Sequence, residues 1–279
     1  MNGVLTLAGL TIREAMRKKV FIASLLIAAI FVFWALLPMP IRPGMMTGPD
    51  EAHALDFFAR LFAWFGCGMI KFFSSVLAVT LAAGALTAEI ERGVLAVVVP
   101  KPMSRMSIYF GKWLGLLTIL AGSVLLWSTL LILGIWHKTH IFHPHILLGI
   151  LATCLFPLLF VTLTLCFSSF ASFALSAGLA LIAAGVSLAE DILYALSRGL
   201  DVPVLDTISK VVGYIVPLGK MNHWITRGLG NAGYDWSAFA PSRPGESAIA
   251  TGYGDLTYII CYIIAATAIG VLVFQRRDL

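Results

Sequence analysis

Four imidazoles fall within nine residues, at His137, His140, His143 and His145. Ring nitrogens at spacings of two and three suit Zn²⁺ or Cu²⁺ held by a loop or a single helical turn. No cysteine or carboxylate stands beside them and Lys138 would repel a cation, so the pattern reads first as interfacial histidines and only second as a metal site. The other ionisable residues of note interrupt or close apolar runs: Lys71, then Glu89 and Glu91 followed by Arg92, then the pair Glu190 and Asp191. A charge inside a bilayer is costly; it either marks a pathway or snorkels to the interface. The apolar runs hold no HExxH, no paired aspartates and no Ser-His constellation, and GxxxxGK[ST] is absent. The residues therefore point away from an enzyme and away from nucleotide or any other cofactor bound by this chain.

Composition identifies the elements that must position these groups. Of 279 residues, 59% are hydrophobic and 12% charged, where a soluble domain carries about 25% charged. The mean hydropathy is +0.94. Lipid must therefore be the solvent for much of the chain. Cys67, Cys154, Cys166 and Cys261 lie in or beside apolar runs, far apart and without a CxxC, and read as small core hydrophobes.

Apolar stretches of spanning length predict an all-α, polytopic membrane protein forming one transmembrane domain over 1–279, with six transmembrane helices at 20–37, 69–88, 113–136, 146–168, 170–189 and 256–274. The first follows Arg13, Arg17, Lys18 and Lys19 without a small-x-small cleavage site, so it reads as a retained span. The fourth and fifth meet at the uncharged turn 168–172 and form a hairpin. With the N-terminus inside, segments 1–19, 87–112 and 275–279 carry ten Lys and Arg in about 50 residues, against eight in about 98 for 38–60, 137–145 and 190–255. Both termini are thus expected in the cytoplasm. Insertion accounts for the formal charge of +5 and no nucleic-acid partner is needed.

This register places Lys71 about 27 Å from Glu89, near the outer interface, where it snorkels or else faces a path. Residues 56–65 read as a helix lying on the outer surface, and 1–19 as a basic amphipathic elbow helix on the inner surface, with Leu5, Ile12 and Met16 on its apolar face. The external segment 190–255 predicts a helix over 202–216 ended by Pro217, a second short helix around Met221–Ile225, and a Gly/Ser/Pro-rich stretch from Gly228 to Gly254. Glu190 and Asp191 follow the fifth span directly, as a solvated helix end or as the lining of an outward vestibule. Small residues concentrate in the second and fifth spans, suiting a dimer seam, a substrate path or internal packing.

The segment 89–111 carries the strongest signal. Glu89 and Glu91 sit at a helix C-terminus, where the macrodipole disfavours carboxylates, so a cation from Arg92 or from a partner should compensate them. Gly93 permits a break, Pro100 and Pro102 force a turn, and Ser104 caps a next short helix suited to a groove on a cytoplasmic partner.

At these residues the chain resembles the permeases of ABC-2 type transporters. The run Ala88-Glu-Ile-Glu-Arg-Gly-Val-Leu95, then Pro100-Lys-Pro-Met-Ser-Arg105, then Gly111-Lys112 is similar to the inner-loop pattern of that family, and Phe274-Gln-Arg-Arg-Asp-Leu279 to its closing basic tail. Val94 stands where Thr is usual and Val99 where a small polar residue is. The resemblance implies a permease subunit of the plasma (inner) membrane of a bacterium, paired with a second copy or a paralogue. Separate ATP-binding cassette ATPase subunits would carry ATP and Mg²⁺, and a coupling helix between the second and third spans would contact them. Glu89, Glu91, Arg92, Gly93, Pro100, Pro102 and Arg105 would then be coupling residues, with Lys71, Glu190 and Asp191 on the path or vestibule. The external segment would act as a lid or dock an external accessory protein. A membrane scaffold or a secondary transporter without an ATPase is the alternative.

Overall fold

In lipid an apolar segment must satisfy its own backbone groups, and helix does so within one segment. The computed structural model describes residues 2–17, 22, 26–31, 33, 49–91, 104–140, 145–200, 203–230 and 253–276, and among these there is helix and no strand. The labelled helices are α1 (Asn2–Arg17), α2 (Pro49–Glu91), α3 (Arg105–Thr139), α4 (His145–Thr153), α5 (Leu155–Ser168), α6 (Phe173–Leu200), α7 (Pro203–Ile215), α8 (Leu218–Gly230) and α9 (Tyr253–Arg276). Four described stretches are long and apolar enough to cross a membrane: Leu61–Thr87, Arg105–Thr139, Leu147–Ser168 and Gly254–Arg276, with Phe173–Val186 a shorter apolar helix. The expected first span at 20–37 lies largely outside the described residues. Its helical stretch 26–31 sets Ile30 and Phe31 across an apolar recess from Phe65, Gly66, Met69 and Phe73 of α2.

Paired contacts fix the directions of the helices. Lys138 lies over the Phe62 ring, Leu131 faces Gly66 and Lys112 reaches Ala85, so α2 and α3 run antiparallel. Lys71 meets Phe156 and Ala83 meets Ser168, so α5 runs parallel to α2. Gly270 abuts Tyr109 and Cys166 and Gln275 meets Arg105, which aligns α9 with α5. One end of the bundle therefore gathers the close of α2, α5 and α9 with the start of α3. Both ends of the undescribed segment 92–103 emerge there, and we call it the loop end. The most enclosed helix is α5, buried on nearly every side from Phe156 to Cys166 among α2, α3, α6 and α9. Leu125, Leu133, Ile264 and Leu272 point outward from α3 and α9, as lipid-facing residues do.

Several expected boundaries move. The surface helix at 56–65 and the span at 69–88 are one unbroken helix of 43 residues, because no proline interrupts them. Ser104 caps no separate short helix: its hydroxyl accepts the Ser107 N–H at 3.2 Å and starts α3 itself. The fourth span is interrupted at Cys154, whose N–H reaches Ile150 and Leu151 at 3.2 Å. Pro157 explains the break, since it offers no N–H to the Thr153 carbonyl and crowds it. The turn at 168–172 does join two packed helices, but α6 runs on to Leu200, so Glu190 and Asp191 lie inside a helix rather than at its end.

The N-terminal helix forms, and the face it packs on α3 is not the apolar face that carries Leu5 and Met16. Leu5 and Met16 are exposed, while Ala8 and Ala15 are buried and Leu7 and Thr11 face α3. A β-carbon at Gly111 would stand 2.6 Å from Leu7 Cβ, and one at Gly115 2.7 Å from Thr11 Cβ. Matched four-residue steps on both helices seat α1 lengthwise and parallel on α3. Small residues, which allow backbones to approach, select this face in lipid.

Candidate functional site at the loop end

The last turns of α2 are gripped by their neighbours. The Thr87 hydroxyl donates to the Ala83 carbonyl of its own helix at 2.8 Å. The Ser168 hydroxyl, at the close of α5, donates to the same carbonyl at 3.1 Å. From α3 the Lys112 ammonium, with its side chain buried, donates to the Ala85 carbonyl. A cation belongs at this position, because the carbonyl end of a helix carries partial negative charge and Glu89 and Glu91 follow in the same terminal turns. Gly111 faces α1 and Lys112 faces α2, so adjacent residues of one motif serve two different helices.

The start of α3 is tied to α9. An Arg105 guanidinium nitrogen donates to the Gln275 carbonyl at 2.8 Å. One turn on, Tyr109 is buried against Phe274, ring centroids 6.4 Å apart. Gly270 makes room for this ring: a β-carbon there would lie 2.3 Å from the Tyr109 hydroxyl oxygen and 3.1 Å from Cys166 Cα.

The opposite end is built from side chains. Lys71, half-buried, donates to Asn222 Oδ1 of α8 at 2.9 Å and lies 5.2 Å from the centre of the Phe156 ring. It is thus anchored beneath α8. Lys220 sits 4.4 Å from the Tyr214 ring centre and 4.3 Å from that of Tyr258, with Asp255 at 3.4 Å. The Tyr258 hydroxyl donates to the Tyr214 carbonyl. His137 and His140 are exposed at the close of α3, where His140 takes a left-handed conformation (φ 53°) and its N–H caps the Trp136 carbonyl at 2.9 Å. His143 lies outside the described residues and His145 opens α4. Among the described residues, no three His, Cys, Asp or Glu side chains group as metal ligands do.

The two segments that carried the sequence resemblance, 88–112 and 274–279, therefore meet in space, through Arg105 with Gln275 and Tyr109 with Phe274. A family-wide sequence profile described as "ABC-2 family transporter protein" matches residues 5–279. The chain belongs to the ABC-2 transporter family. No curated protein matches it. An ABC-2 chain is a multi-pass membrane component of a transporter, and the apolar helices agree. Of the coupling residues named from the sequence, Glu89 and Glu91 lie in the last turn of α2 and Arg105 opens α3. Arg92, Gly93, Pro100 and Pro102 lie outside the described residues, as do the side chains of Glu89, Glu91, Glu190 and Asp191. Sequence reasoning missed Lys112 as the cation serving α2, although Gly111-Lys112 closed the motif. It also missed Asn222 as the partner of Lys71, for which no local signal exists. Gly66 and Gly84 pack internally against α3 and α6, while Gly68, Gly178 and Gly185 face open space.

Proposed function

We propose that this ABC-2 chain is the permease subunit that lines a translocation path together with a second permease half, a second copy of itself or a paralogue. Separate ATP-binding cassette subunits, holding ATP and Mg²⁺, drive it from the cytoplasm for export or maturation-linked transport across a bacterial inner membrane. Six crossings put both termini and the loop end in the cytoplasm, and the segment between α2 and α3 docks on the ATPase. The reading rests chiefly on one observation: two basic, motif-bearing segments 170 positions apart converge on the end from which segment 92–103 emerges. A loop so placed sits where force from a soluble partner reaches the spanning helices. At the opposite end α7 and α8 pack on α6 and α4 and form a lid or a dock for an external protein.

Glu89→Ala and Arg92→Glu test the coupling role. Each should weaken copurification of the ATPase subunit, or ATP turnover by the complex, about tenfold, the equivalent of one charge-assisted contact. Membrane insertion should be intact. Unchanged pull-down and unchanged turnover in both variants would overturn the assignment.

A further inference from the structure

Three bonds at the loop end share one chemistry. Ser168 of α5 donates to the Ala83 carbonyl of α2, Lys112 of α3 to the Ala85 carbonyl of α2, and Arg105 of α3 to the Gln275 carbonyl of α9. Each joins two helices by a side chain on a main-chain oxygen, across 85, 27 and 170 positions respectively. Many other side-chain hydroxyls bond within their own helix, as Thr118, Thr129 and Thr267 do. Ser168 and Lys112 are both buried, at 0% and 4% exposure, and of these two only Lys112 carries a charge. Burying a cation is unfavourable until its partners compensate it, and a methionine would fill the same volume without that penalty. What lysine adds is a donor fixed to the closing turns of α2.

We infer that Lys112 is a positioning residue for energy coupling: it clamps the two helices that flank segment 92–103, so that a displacement of that segment moves α2 and α3 together. Ser168 and Arg105 then carry the movement to α5 and α9. Without the clamp, the closing turns of α2 separate from α3 and absorb the push. The inference rests on the functional reading above.

The test uses the full permease copurified with its ATP-binding subunit in lipid nanodiscs. Spin labels replace Leu133 of α3 and Val204 of α7, both exposed and distant from the loop end, with α7 outside the clamped set. The distance between them is measured before and after ATP with vanadate. The wild-type and Lys112→Arg complexes should shift alike. Lys112→Met should trap nucleotide yet shift by less than half as much, and Ser168→Ala should fall between. A wild-type shift in Lys112→Met overturns the inference, as does a wild-type complex that traps nucleotide without any shift. Should Lys112→Met fail to accumulate, Ser168→Ala decides in the same terms. If no ATP-binding subunit copurifies with the wild type, the functional reading falls and the inference with it.

Discussion

At the loop end glycine brings backbones together, whereas at the opposite end long side chains bridge helices that stay apart. Gly111, Gly115 and Gly270 each leave under 3.2 Å between a would-be β-carbon and a neighbouring main-chain atom. Gly254, at the far end, has nothing within 4 Å, and Gly66 meets the side chain of Leu131 and no main-chain atom among its nearest neighbours. The far end relies instead on Lys71 with Asn222 and on Lys220 between two tyrosines. Backbone contact transmits displacement because neither side can yield, whereas a bridge between long side chains can follow a movement without breaking. The contrast supports the proposed reading, in which one end receives force and the other opens.

The largest effect should come from filling a loop-end glycine. Gly270→Val should lower stability by about 3 kcal/mol, the upper range of overpacking, read as a depressed Tm in detergent. Gly254→Ala should leave Tm unchanged, and equal behaviour of the two would dissolve the contrast. Next, Lys71→Met and Asn222→Leu should each cost about 1.5–3 kcal/mol, as hydrogen bonds to charged groups do. In a double-mutant cycle the pair should lose less than the sum of the singles, and strict additivity would mean the bond carries no energy. Lys220→Met should cost only about 0.5–1 kcal/mol, in keeping with a part-exposed cation–π pair. Its signature is faster amide exchange in α7 and α8 with Tm nearly constant; a large drop in Tm would give the far end the same rigidity as the loop end. Smallest of all, His140→Gly should raise stability by about 0.5 kcal/mol, the relief of the left-handed cap less the greater freedom of glycine in the unfolded chain.

Much of the layout was legible because it follows from run length and punctuation. The helix expected over 202–216 forms as α7 and stops before Pro217, and the 168–172 turn falls between two helices. Helix α2 was misjudged because the amphipathic stretch 56–65 carries an interfacial signature that does not reveal continuity with the next span. The apolar face of α1, with Leu5 and Met16, was legible and stays exposed, whereas the face that packs on α3 was not, because close approach is decided by Ala8, Thr11 and Ala15. Lys112, Asn222 and the fit of Tyr109 to Gly270 depend on contacts between residues at least 27 positions apart. No pattern read along a single chain contains them.

The unbroken length of α2 has a mechanical consequence. At about 1.5 Å per residue its 43 residues form a rod of about 64 Å, roughly twice the hydrocarbon thickness of a bilayer. Lys71, where Asn222 takes hold, lies 22 residues from Pro49 and 20 from Glu91, close to the midpoint. A stiff beam pivoting about its centre has equal arms: a few ångströms of sideways travel at one tip become the same travel, reversed, at the other.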